Sequence, residues 1–145
     1  MSDRTFLVFA CSTTMQGEEH HAILSSATLL GPVKTPPEYD LVDLGKSGSL
    51  VAGGRCEVHG ELYSVDAATL AALDVHEGHP ILHTRATITL ADGREAQAWL
   101  LHFEQVRGRR RIRSGDWRQR RVVTRSTDGG PLVRWARGRF RSNQG

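Results

Sequence analysis

Glu77 is the residue of this chain whose neighbours best suit it to acid–base chemistry. It closes the run Leu73-Asp74-Val75-His76-Glu77-Gly78, an acidic side chain at the end of an amphipathic segment with a chain-turning glycine directly after it. A carboxylate that leaves a packed helix just ahead of a Gly-His-Pro turn can project into a partly dry cleft, where desolvation raises its pKa and suits it to shuttle a proton near neutrality; the alternative is a solvated glutamate at a helix end. Histidines crowd the same stretch at His76, His79 and His83. Their spacing is superficially that of metal ligands, but Gly78 and Pro80 break the helix that would hold the imidazoles on one face, so no metal site is expected. Cys11 is a second reactive side chain, at the point where an apolar run opens into a polar loop. Paired with a histidine it could act as a nucleophile, although a buried cysteine is far more often inert packing.

The elements that must position these groups follow from pattern. Asp66 is a good N-cap, alanines follow it, and Leu70 and Leu73 fall three apart on one face, which predicts a short helix ending near Gly78. Phe6-Leu7-Val8-Phe9-Ala10 reads as a buried strand feeding the loop Cys11-Ser12-Thr13-Thr14-Met15-Gln16-Gly17, which can present backbone N–H groups in a concave array. Alternation predicts further strands over 38–44 and 56–63, and a hairpin joining 85–90 to 96–103 across Ala91-Asp92-Gly93-Arg94. A second short helix is expected from about His20 to Leu29, with Ile23, Ala27 and Leu30 on one side. Thr35-Pro36-Pro37 reads as a stiff connector, and Ser47-Gly48 and Gly53-Gly54 as the bounds of flexible loops able to cover a pocket mouth. The sum is an α+β fold: a small, mostly antiparallel β-barrel with a few short helices.

The order of these segments, with Gly60-Glu61-Leu62-Tyr63 leading into the Leu-Ala-Ala-Leu-Asp helix and then Glu77, His83-Thr84-Arg85 and Ser114-Gly115-Asp116-Trp117-Arg118, resembles the gamma-glutamylcyclotransferase superfamily and its AIG2-like members. The resemblance runs from about Phe6 to about Arg118. Cys11-Ser12-Thr13-Thr14 stands where the family usually has Tyr-Gly-Ser/Thr-Leu, while Met15 and Gly17 keep the Met and Gly that follow. His83-Thr84-Arg85 stands for Tyr-x-Arg, and Ser47-Gly48-Ser49-Leu50-Val51 for Tyr-Pro-Ala-Leu-Val. The resemblance implies an enzyme that releases an amine from a gamma-glutamyl amide and forms 5-oxoproline, or a variant acyl or cyclisation reaction in the same cleft. It assigns proton transfer to Glu77 and substrate binding to Cys11, Ser12, Thr13, Thr14, Met15 and His83, with no metal and no cofactor. Arg85 is read as structural, pairing with a carboxylate near the site, and Trp117 as core packing.

Composition fits one domain with a single core. No run approaches a membrane span and the first residues lack the apolar stretch of a secretion signal, so cytoplasmic residence is expected. Two distant cysteines, Cys11 and Cys56, argue for reduced thiols. Charge is strongly polarised: Arg107–Gly145 carries thirteen arginines against two acids, whereas Met1–Val106 has six Lys/Arg against fourteen Asp/Glu. The chain therefore divides into a cyclotransferase-like domain over 1–122 and an arginine-rich arm over 123–145. The basic end is expected to clasp an acidic surface of its own or a neighbouring subunit, which would allow a homodimer through the arm. Nucleic-acid binding is disfavoured, since the basic end from Arg107 onward offers only Trp117, Trp135 and Phe140 for stacking and carries no recognition motif. The competing class is a non-catalytic protein of the same fold that binds an acidic partner or nucleic acid through the arm.

Overall fold

The computed structural model describes residues 4–120. Its strands are β1 (Thr5–Ala10), β2 (Thr28–Lys34), β3 (Tyr39–Asp43), β4 (Gly48–Ala52), β5 (His59–Asp66), then β6 (His83–Thr89), β7 (Glu95–Leu101) and β8 (Arg110–Arg111), with one α-helix, α1 (Ala67–His76), between β5 and β6. All eight strands join one mixed sheet curled into a half-barrel, in the order β2-β5-β1-β7-β4-β3-β8, with β6 on the remaining edge of β7. The α+β class holds.

The strand β7 decides the shape. One of its edges is taken along its whole length by β6, from His83 opposite Leu101 to Thr89 opposite Glu95. Its other edge is shared by two parallel strands: β1 meets it at Val8 opposite Gln97, and β4 at Leu50 opposite Leu100. Ala10, at the end of β1, and Gly48, at the start of β4, therefore arrive at the same level of β7. Two strands cannot occupy one edge, so the sheet forks there. At the fork β1 leaves and β4 enters while each keeps its pairing elsewhere, β1 with β5 over Thr5–Ala10 and β4 with β3 over Gly48–Ala52.

Apolar residues from both lips of the fork form the core, with Val8, Phe9, Leu41, Leu50, Leu62 and Leu73 all at most 3% exposed. Helix α1 starts at Asp66, whose carboxylate accepts from the Thr69 backbone N–H at 2.8 Å, and it buries Leu70 and Leu73 against the sheet. The Asp66 start, the Leu70/Leu73 face and the stop before Gly78, whose φ is +69°, all match the pattern-based expectation.

Two expectations are corrected. The helix expected over His20–Leu29 is a single 3-10 turn, His21–Leu24, after which the chain becomes β2. Of the expected apolar face, Ile23 and Ala27 pack against the core beside the buried Leu24, whereas Leu30 is 45% exposed on β2. Strand β2 tolerates Pro32 because it is the sheet's edge, and it absorbs Gly31, at φ +130°, as a register shift. The segment Gly48–Ala52, read as lying between flexible loops, is strand β4 with Ser49 and Leu50 buried. No helix of the described residues is long and apolar enough to cross a membrane.

The described part of the basic end does meet an acidic surface. Arg110 pairs with Asp43 and Arg111 with Asp40, at 2.7 and 2.8 Å, which docks β8 on β3. Arg118 reaches Glu18 and Glu61 at 3.5 and 3.3 Å, and Trp117 beside it is buried with its indole N–H donating to Glu18. The arm over 123–145, with Trp135 and Phe140, and the boundary assigned to it lie outside the described residues.

Gly60 explains itself in this frame. A Cβ there would stand 2.3 Å from the Ala10 carbonyl oxygen and 2.7 Å from the Phe9 ring, so glycine is what allows β5 to sit against the last residues of β1. The expected result for Gly60→Ala is a loss of about 1–3 kcal/mol of stability, read as a lower urea midpoint at unchanged m-value.

Candidate functional site

Where the sheet forks, the gap remains as a narrow cavity. One lip is the end of β1 and its loop, through Phe9, Ala10, Cys11, Ser12 and Thr14; the other is Gly48, Ser49 and Leu50. Ala98 and Trp99 of β7 lie between them, and Leu73, Glu77 and His83 close the remaining wall. The lips are tied once, by the Gly48 N–H donating to the Ser12 hydroxyl at 2.7 Å.

The loop after β1 is arranged with its carbonyls engaged and its amides free. The Ser12 carbonyl accepts from Met15 N–H, the Thr13 carbonyl from His20 N–H, and the Thr14 carbonyl from the His21 ring Nδ1, at 3.2, 2.8 and 2.9 Å. The backbone N–H groups of Ser12, Thr13 and Thr14 have no acceptor among the described residues, although all three residues are at most 9% exposed. Buried backbone donors without acceptors are costly. Successive free N–H groups in a turn form an anion-binding concavity.

Glu77 stands across the cavity as the C-cap of α1, and a quarter of its side-chain surface is exposed. Burial pushes its carboxyl up to about 7. Its place is set by Asp74, three residues earlier in α1. Both Asp74 oxygens are engaged from the β6–β7 hairpin: Trp99 Nε1 donates to Oδ1 at 2.9 Å and Arg85 Nη1 to Oδ2 at 2.8 Å. Arg85 thus has the structural, carboxylate-pairing role expected of it. The segment after Glu77 is also tied down, with His79 N–H on the Asp74 carbonyl and Arg85 N–H on the His79 ring.

His83 is 5% exposed and bridges the helix end to the far lip. Its Nδ1 lies 2.7 Å from the Glu77 backbone carbonyl, and its Nε2 2.8 Å from the Ser49 hydroxyl. The Glu77 carboxylate is farther from Nδ1, at 3.8 Å. Burial holds the imidazole pKa below its ordinary value, opposed by the Glu77 carbonyl and reinforced by His102, so near pH 7 the ring is neutral and the carbonyl is its partner. Cys11 is pushed up to about 12, first by burial and then by the Glu77 charge, so it remains a thiol and lacks the form a nucleophile needs.

Of the residues singled out from sequence, the fold brings Cys11, Ser12, Thr14, Glu77 and His83 onto one cavity. Thr13 and Met15 are not on its wall; Met15 is a core residue at 1% exposure, and Thr13 is buried with its carbonyl on His20 N–H. The three histidines near Glu77 have separate partners: His76 packs at a tilt against His20, His79 holds Arg85 N–H, and His83 holds Ser49. Among the described residues no group of three or more His, Cys, Asp or Glu side chains is placed to hold a metal ion. Ser49 and Trp99 line the cavity without being singled out by the sequence, and His21 holds the Thr14 carbonyl without lining the cavity. Ser49 lies in a short segment bounded by loop-like sequence, and nothing local marks Trp99.

With that geometry in hand, comparison with known proteins is specific. The family described as Gamma-glutamyl cyclotransferase, AIG2-like, matches residues 8–119. A Vibrio cholerae protein provisionally named a gamma-glutamylcyclotransferase is 44% identical over 115 residues, covering 79% of this chain and 96% of that one. The gamma-glutamylcyclotransferase family protein YtfP of Escherichia coli is 36% identical over 106 residues, covering 72% and 88%. The solution structure of Escherichia coli YtfP superposes with a TM-score of 0.59 at 32% identity, over 81% of this chain and 98% of that one.

Two outcomes follow from the electrostatics. Asp74→Ala leaves the Arg85 guanidinium and the Trp99 indole N–H without their acceptor, and the expected cost is about 2–3 kcal/mol in urea denaturation. For Glu77 the sign is unusual for a carboxylate: its folded pKa of about 7 lies above the ordinary 4.5, so its contribution is most favourable below pH 4.5 and is lost as pH rises through 7. Above that pH the ionised group costs up to roughly 3 kcal/mol. Glu77→Gln is therefore expected to melt above the parent protein at pH 8, with the gap closing towards pH 5.

Proposed function

The chain belongs to the AIG2-like gamma-glutamyl cyclotransferase family, and from that premise we propose that it releases an amine from a gamma-glutamyl amide with formation of 5-oxoproline. One observation supports this reading above the others. A carboxyl group whose proton affinity is raised to about 7 shares a cavity with a loop whose backbone N–H groups at Ser12, Thr13 and Thr14 lack acceptors. An acid–base group and an anion cradle are what an amino-acid amide requires, and a protein nucleophile is not.

The chemistry runs within the substrate. Its alpha-carboxylate rests on the Ser12–Thr14 loop, assisted by the Ser12 hydroxyl, which accepts from Gly48 N–H and so keeps its own proton to donate. Glu77 as carboxylate takes a proton from the alpha-ammonium, and the freed amine attacks the gamma-carbonyl carbon to form the ring C–N bond. The bond from that carbon to the departing nitrogen breaks as Glu77 returns the proton. One hydrogen of the ammonium stays on the ring nitrogen, and two finish on the leaving amine, which departs as R–NH3+. Closing a five-membered ring makes attack effectively unimolecular, so the protein's task is to hold a folded pose and move protons.

The carboxylic acid form of Glu77 cannot start the reaction. Activity is therefore expected to rise with pH through about 7 as Glu77 ionises. Incubation with a panel of gamma-glutamyl amines should yield 5-oxoproline, and Glu77→Gln should lower kcat by about 100-fold or more with a small change in KM. Absence of 5-oxoproline across the panel from correctly folded protein would remove this reading.

A further inference from the structure

Ser49 and Ser12 face the same cavity from opposite lips, yet the groups behind them give their hydroxyls opposite polarity. Ser12 Oγ accepts from Gly48 N–H at 2.7 Å and is left with a hydrogen to donate. Ser49 Oγ is 2.8 Å from His83 Nε2, and the His83 Nδ1 is 2.7 Å from the backbone carbonyl of Glu77. A carbonyl oxygen only accepts, so Nδ1 carries the ring proton, Nε2 presents a lone pair, and the Ser49 hydroxyl donates to it. The lone pairs of Ser49 Oγ remain, and no other group among the described residues donates to them. Ser49 is 3% exposed, so bulk water does not satisfy them either.

Donors at Ser12 and Thr14 and acceptors at Ser49 and Glu77 thus line one cavity. A head group bearing both a carboxylate and an ammonium on one carbon fits that pairing. We propose that Ser49 accepts a hydrogen bond from the alpha-ammonium of the substrate, with His83 fixing the polarity of the serine hydroxyl by taking its proton at Nε2. This makes the pair a selector for acyl groups carrying a free alpha-amine, in addition to the carboxylate held by the loop. The inference rests on the gamma-glutamyl reading of the cavity. Ser49 acts by direct contact with the substrate, and His83 acts through Ser49 as a positioning residue.

The test compares two ligands. One is a gamma-glutamyl amide, which can cyclise; the other is the matching glutaryl amide, which lacks the alpha-amine, cannot cyclise and is read as a competitive inhibitor. In Ser49→Ala, KM for the gamma-glutamyl amide is expected to rise ~10- to 100-fold, the worth of a hydrogen bond to a charged group. The glutaryl amide Ki is expected to change by less than about twofold, because that ligand offers Ser49 no ammonium. His83→Phe, which releases the serine proton into the cavity, is expected to shift the ratio of the two constants in the same direction. Should Ser49→Ala fail to fold, Ser49→Cys keeps the shape with a poor acceptor, and the same change in ratio is expected. Turnover with a ratio unchanged in the folded serine variants overturns this inference alone, as does an equal weakening of both ligands. Wild-type protein that neither makes 5-oxoproline nor binds the glutaryl amide overturns the gamma-glutamyl reading together with it.

Discussion

Two parallel strands competing for one edge of β7 is the constraint from which the rest of the site follows. Beta-sheet pairing has no provision for a three-way junction, so β1 and β4 diverge at the level of Ala98 and Trp99 and leave a gap between them. In most of the molecule a gap would fill with side chains. Here the residues at the junction are small, with Ala10 and Ser12 on one lip, Gly48 and Ser49 on the other and Ala98 between, so the space persists. Gly48 has no room for more, since a Cβ there would stand 2.8 Å from the Trp117 ring.

The polar groups at the fork depend on supports placed outside it. The carbonyls of the Ser12–Thr14 loop are engaged by Met15, His20 and His21, and the amides are left without acceptors among the described residues. Helix α1 is pinned through Asp74 to the β6–β7 hairpin, which sets the helix end and with it Glu77. His83 is held at both ring nitrogens, between the backbone of Glu77 and Ser49. Each support engages a group that lies next to the functional one in the chain. The groups left without partners are therefore an outcome of where their neighbours are anchored.

Such an arrangement carries a thermodynamic cost. Buried amides without acceptors and a carboxyl kept from full solvation both disfavour the folded state relative to a well-paired alternative. The ion pairs of Arg110, Arg111 and Arg118 with Asp43, Asp40, Glu18 and Glu61 close the sheet's far edge and the loop's outer side. They are partly exposed, so their role is to set where the last described segment lies more than to supply much stability. Trp117, buried beneath that segment, supplies the apolar anchor.

Much of this was legible in the chain itself. The strand over Phe6–Ala10, the capped helix from Asp66, the hairpin around Asp92-Gly93 and the prominence of Glu77 are local matters of periodicity, capping and turn chemistry, which neighbouring residues dictate. Strand β2 was not legible, because its Gly31 and Pro32 speak against a strand and only its edge position makes them acceptable. Nor was Ser49, whose five-residue strand carries serine and glycine and exists because β3 and β7 flank it. The sequence by itself determined the class of fold, the helix that delivers the carboxyl group and the loop that can offer its amides. Tertiary structure alone decided that these meet at a fork in the sheet, that Cys11 stays a buried thiol, and that a histidine and a serine 34 positions apart share one proton across the cavity. Hydrogen-bond polarity and desolvation depend on what lies across space, and no spacing along the chain encodes that.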